Sequence, residues 1–165
     1  MARSPDELTR RIRAVLAVFI AGLGLSGLTA FPLLHELDLL TALLGPSRGD
    51  GFVWWIHHVR TALAETYRVW PFLGYGTDWL AFGHLVIAVF FIGVWREPVR
   101  NVWVLHAGLI ACAGVIPLAL ICGAIRGIPF YWRLIDCSFG VFGIIPLWLC
   151  RKWVRELGES ESGNR

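Results

Sequence analysis

The stretch "LAVFIAGLGLSGLTAFPLL", residues 16–34, runs without one charged side chain. A helix of a soluble bundle would show polar positions at 3.6-residue spacing, and none appear here. The segment reads as a membrane span of roughly residues 14–34. Three more stretches, at about residues 79–95, 102–122 and 131–150, share that character. Each has about 17–21 residues, against the ~20 that a helix rising 1.5 Å per residue needs to cross ~30 Å of hydrocarbon.

The whole chain agrees with this reading. Its 165 residues are 56% hydrophobic and only 16% charged, with a mean hydropathy of +0.62. A soluble domain carries about a quarter charged residues. Nine Trp suit the boundary between hydrocarbon and headgroups. The net charge of +3 is scattered, without a basic stripe interleaved with aromatics, so nucleic acid is excluded as a partner. The expected fold class is all-α: a polytopic membrane protein with four transmembrane helices and the lipid bilayer as its first partner.

Loop charges orient the spans. Arg3, Arg10, Arg11, Arg13, Arg96, Arg100, Arg151, Lys152, Arg155 and Arg165 fall on one side. Arg48, Arg60, Arg68, Arg126 and Arg133 fall on the other. The asymmetry places both termini in the cytoplasm and the protein in the plasma (inner) membrane. The first span is too long for a cleaved signal and lacks an A-x-A site, so it reads as an uncleaved anchor.

One sizeable loop, residues 36–78, faces outward. After the break "GPSRGDG", Phe52, Ile56, Val59, Leu63, Tyr67 and Trp70 recur at helical spacing, with His57, His58, Arg60, Thr61, Glu65 and Arg68 opposite. This predicts an amphipathic interfacial helix over about 52–70, stopped by Pro71. The tail 156–165 has a composition that predicts disorder, leaving one four-helix domain over 1–155.

Small residues mark the inward faces. Gly22, Ser26 and Ala30 form a small-xxx-small seam in the first span. Ala81, His84 and Ala88 share a face of the second, and Asp136, Gly140 and Gly143 a face of the fourth. His84 and Asp136 each lie five residues below the outer end of their span, at a common depth of about 7.5 Å. Ionisable groups inside spans are candidates for function. His84, Asp136 and Arg133 therefore form the candidate polar site, with Asp78 and Arg126 at its outer rim. The structural alternative is local: Arg133 precedes Asp136 by one turn and can serve as its counter-ion, with His84 a satisfied core histidine.

Other chemistries find less support. His106 lies about 6 Å from the cytoplasmic end of its span, and its depth differs from that of His84 by roughly 15 Å. Two axial haem ligands need nearly equal depth, and no C-x-x-C-H motif is present. A haem-binding electron-transfer protein is thus the weakest reading. Cys112, Cys122, Cys137 and Cys150 form no CxxC pair and read as packing residues rather than a thiol-redox centre. No metal-ligand spacing, phosphate-binding loop or nucleophile elbow occurs, so neither a catalytic residue nor a cofactor is assigned.

The order of spans, with the long loop after the first, resembles the sterol-isomerase and sigma-two-receptor type of four-span membrane protein. That resemblance implies acidic or imidazole groups facing a central cavity, and it covers the order of spans and no specific motif. The residues themselves leave two expectations. In the first, favoured by a small chain with few loops and no motif, the protein is an accessory or structural subunit of a larger membrane complex, with other membrane subunits as partners. Alternatively, an outer-leaflet pocket binds or converts a small apolar ligand through His84 and Asp136.

Overall fold

A computed structural model describes residues 4–47 and 49–162. Arg3, Arg48 and Arg165, three of the charges used for orientation, lie outside the described residues. The chain is all-helical: α1 (Pro5–Ala30), α2 (Leu33–Leu44), α3 (Phe52–Val69), a 3₁₀ turn (Pro71–Gly74), α4 (Tyr75–Arg96), α5 (Val102–Ile125) and α6 (Phe130–Ser162). Four segments are long and apolar enough to cross a membrane: Pro5–Ala30, Pro71–Arg96, Val102–Ile125 and Phe130–Ser160.

The helix ends follow local chemistry. Ser4 opens α1 by accepting the Glu7 backbone N–H at 3.3 Å, with Pro5 behind it. The Asn101 amide donates to the Gly93 and Glu97 carbonyls at 3.0 and 3.1 Å, covering the end of α4. At the end of α5, Gly127 adopts φ +70°, which a residue with a Cβ rarely tolerates. That turn lets the Ile128 N–H reach the Gly123 carbonyl at 2.9 Å and the Gly127 N–H reach Ala124 at 3.2 Å, a Schellman closure. Pro117 and Pro146 lie within continuous helices, α5 and α6.

The contacts divide the chain into two compact units. The first comprises the chain up to Ala21 and from Ala88 onward, and the second spans Gly22–Ile87.

In the first unit, Ile12 and Leu16 of α1, Val94 of α4, Leu105 of α5, and Leu147 and Cys150 of α6 are fully buried. Phe19 meets Phe91 edge-on at 4.9 Å between centroids. Arg13 and Trp95 clasp reciprocally: Arg13 Nε donates to the Trp95 carbonyl at 3.2 Å, and Trp95 Nε1 to the Arg13 carbonyl at 3.1 Å. The guanidinium also lies over the indole at 5.3 Å. The closest approach is α5 on α6, where the Cys112 carbonyl sits against Gly140. A side chain there would hold the helices apart.

Residues 156–162 correct the expectation of a disordered tail. They continue α6, because Val154 and Leu157 are buried on one side while Arg155 and Glu159 pair at 3.8 Å on the other. The last part of the tail, 163–165, lies outside the described residues.

In the second unit the first span ends at Ala30, short of the expected Leu34. Pro32 has no backbone N–H with which to continue the helix, and α2 starts beyond it. The loop thus holds two helices rather than one. Helix α2 packs on α3, burying Leu37, Trp55 and Ile56. On the predicted apolar side of α3, Val59, Leu63 and Tyr67 are half-buried, whereas Thr61, Glu65 and Arg68 are exposed. Two residues of the predicted polar side tie the hairpin instead. His57 Nε2 donates to the Gly45 carbonyl at 2.9 Å, and Arg60 Nε to Asp38 Oδ1 at 2.7 Å.

The α1 seam also differs from expectation. Gly22 and Ser26 are exposed, and Gly27 is the buried residue. A Cβ on Gly27 would lie 2.9 Å from the Ala81 carbonyl oxygen and 3.1 Å from His84 Cβ.

Candidate functional site

The five candidate residues divide between the units: Asp78 and His84 belong to the second, Arg126, Arg133 and Asp136 to the first. Asp78 lies in the first turn of α4, where a carboxylate meets the positive end of the helix dipole. It is half-buried and lines a shallow hollow of about 240 Å³ with Phe31, Tyr75, Trp79 and Phe82. His84 is half-buried beside Gly27, flanked along its face by the buried Ala81 and Ala88. Its Nδ1–H donates to the Leu80 carbonyl, one turn earlier in the same helix, at 2.8 Å. That bond satisfies one ring nitrogen without another element. Six residues separate Asp78 from His84, about 9 Å along the axis.

In the first unit Arg133, Gly140 and Leu147 of α6 meet α5 at Gly123, Cys112 and Gly108, and Asp136 lies on the same arc of the helix at 3.6-residue periodicity. Arg133 reaches α5 instead of Asp136. Its stem crosses Gly123, where a Cβ would stand 2.7 Å from Cδ, and its Nη1 donates to the Leu120 carbonyl at 3.3 Å. The guanidinium also lies 5.2 Å from the Phe130 ring centre. The local counter-ion arrangement is therefore not formed. Asp136 is half-buried and, within its unit, has no hydrogen-bond or ion-pair partner among the described residues. Arg126 is exposed just past the end of α5, where a cation meets the carbonyl end of the helix.

All four cysteines are free. Cys137 Sγ points at the Ile116 carbonyl, 3.9 Å away, and Cys112 Sγ lies against Gly143, consistent with thiols that fill an interhelical seam.

The sequence reading missed one polar pair between α5 and α6. His106, weighed above only as a haem ligand, accepts a hydrogen bond at Nε2 from Arg151 Nε at 2.8 Å. The pair borders a cleft of about 840 Å³ between the start of α5 and the far end of α6. The signal was present. His106 lies one turn after the start of the third apolar stretch, and Arg151 one residue beyond the end of the fourth, two ends that antiparallel neighbours bring together.

No family model, curated protein or solved structure matches the chain. The resemblance to the sterol-isomerase type in the order of spans gains no support from these comparisons.

Proposed function

We propose that this chain is a multi-pass protein of the plasma (inner) membrane, with both termini in the cytoplasm, that serves as an accessory subunit of a larger membrane assembly. The α2–α3 hairpin then lies along the outer surface. The observation that carries the reading is Asp136: a half-buried carboxylate in an apolar helix, on the arc that meets α5, without a donor in its own unit among the described residues. A charged group in hydrocarbon is costly unless paired. A cation or hydrogen-bond donor from a partner's membrane helix supplies the missing counterpart. Two other polar side chains of the spans are engaged close by, His84 with Leu80 and Arg133, through Nη1, with Leu120. The faces of α5 and α6 that expose Ile110, Ile121, Phe139 and Phe142 suit lipid or a neighbouring helix.

The test is extraction of the full chain from native membranes in a mild detergent, followed by native electrophoresis and mass spectrometry. The wild-type protein should migrate with a stoichiometric partner. Asp136→Leu should release it as a folded chain of 18.5 kDa. A lone chain in both samples would refute the subunit reading. A co-purified small molecule, lost in both Asp136→Leu and His84→Ala, would establish the ligand-pocket alternative instead.

A further inference from the structure

The cleft beside His106 and Arg151 belongs to neither function above. Its lining includes Val102 and His106 from α5, with Trp148, Arg151, Lys152 and Arg155 from α6. Three cations face one carboxylate, Glu159, which pairs with Arg155. We propose that this cleft binds the phosphate of an anionic lipid headgroup, with the guanidinium of Arg151 as its principal contact and His106 as the residue that positions it.

The geometry of Arg151 carries the argument. Guanidinium groups recognise phosphate through two parallel N–H donors, and affinity rises when the fork is held in place beforehand. Arg151 uses Nε on His106, which orients the plane of the group and leaves both Nη groups without a partner among the described residues. Because the ring accepts at Nε2, His106 adds no charge there and acts purely as an anchor. Lys152 is exposed and also unpartnered among the described residues, so a second cation stands next to the fork. Lysine acts as a point charge on phosphate and needs no fixed orientation.

Lipid is favoured over a soluble phosphate by what lies along the helix. Trp148, 52% exposed, precedes Arg151 by about one turn, and Trp103 near the start of α5 is 58% exposed. Exposed indoles mark the level where hydrocarbon gives way to headgroups. The cations therefore sit at headgroup depth, with Trp148 and Val102 offering apolar surface to an acyl chain. Basic clefts between membrane helices on the cytoplasmic side are suited to anionic headgroups in this way. The inference rests on the reading of the four helices as spans, which reporter fusions test independently of any lipid.

The experiment uses the full chain in neutral detergent, titrated with micelles containing phosphatidylglycerol or phosphatidylcholine. Retained lipid is counted by native mass spectrometry, and helicity is checked by circular dichroism. Phosphatidylglycerol should bind about tenfold or more tightly than phosphatidylcholine, and Arg151→Gln should remove about that advantage. His106→Leu should weaken binding nearly as much without changing charge. His106→Gln, whose amide oxygen can accept from Nε, should restore it. Arg100→Gln, a charge loss outside the cleft, should leave it unchanged. If Arg151→Gln fails to fold, Lys152→Gln at an exposed position carries the same expectation with a smaller loss. Equal retention of the two lipids would overturn the proposal, as would equal losses in Arg100→Gln and Arg151→Gln. So would inorganic phosphate that binds alone and displaces the lipid.

Discussion

Replacing Gly140 with alanine tests the α5–α6 seam at its closest point. The added Cβ would meet the Cys112 carbonyl oxygen, part of a helical backbone that cannot rotate away, and would touch Val115 Cβ at 3.4 Å. The helices must separate, and a gap of about 1 Å forfeits up to half the dispersion energy across it. Overpacking costs about 1–3 kcal/mol, and a clash with rigid backbone belongs in the upper part of that range, about 2–3 kcal/mol; the gain of about 1 kcal/mol when alanine replaces glycine in a helix leaves a net loss of about 1–2 kcal/mol. Gly143→Ala differs in kind, because its Cβ would meet a side-chain atom, Cys112 Sγ, at 2.7 Å. Cys112→Ala should therefore rescue Gly143→Ala and leave Gly140→Ala unrescued. Gly114→Ala on α5, with nothing within 4 Å, is the control and should be neutral or slightly stabilising. Reversible unfolding in mixed micelles, followed by tryptophan emission, measures all five variants. A Gly140→Ala protein as stable as wild type, or one rescued by Cys112→Ala, would refute the reasoning.

Three further outcomes are expected. Reporters inserted at Gly49 and fused to the C terminus should fall on opposite sides of the membrane, the latter in the cytoplasm; accessibility labelling that finds both on one side would remove the four-span topology. Arg133→Ala and Asp136→Asn should add within about 0.5 kcal/mol in the same unfolding assay, since Arg133 is engaged with Leu120 rather than Asp136; strong coupling would restore the local ion pair. In the α2–α3 hairpin, Asp38→Asn breaks an exposed pair and should cost under about 1 kcal/mol, whereas Ile56→Ala, at a site 2% exposed, should cost about 2–5 kcal/mol. A reversed order would mean that charge, not burial, holds the hairpin.

The four long helices were legible because uninterrupted apolar runs leave a helix few alternatives. The α3 helix was equally plain, expected over 52–70 and observed over Phe52–Val69, because its spacing is regular and Pro71 stops it. Helix α2 was not, since "LLHELDLLTALL" adjoins an apolar span and only Pro32 separates them. Small residues misled for a related reason. Gly22, Gly24, Ser26, Gly27 and Ala30 surround α1 on several sides, so spacing alone does not select the face that meets α4. Arg133 had two partners within reach, a carboxylate on its own helix and a carbonyl on the next. The sequence displays the first and hides the second, which exists only because Gly123 opens a path for the arginine stem.

The distribution of packing bears on where a partner can act. Within the first unit, Leu8, Ile12 and Leu16 of α1, Val94 of α4, Val104 and Leu105 of α5, and Leu147, Cys150, Val154 and Leu157 of α6 are all buried near the arginine-rich helix ends. The Arg13–Trp95 clasp and the Asn101 cap lie at that same end. Toward the opposite ends of α5 and α6 the seam is made by Gly123, Ala119, Cys137 and Gly140, small groups that bury little area. Free energy of local opening follows such buried area. Hydrogen exchange should therefore be fastest around residues 120–136 and slowest around 104–108 and 147–154. Asp136 sits in the part of the seam that opens most readily. A partner helix engaging its carboxylate would then bind where the chain yields at least cost, and protection around 120–136 should rise in the assembled complex. If exchange there is already as slow as at Leu105, the pair is closed and Asp136 is not offered to a partner.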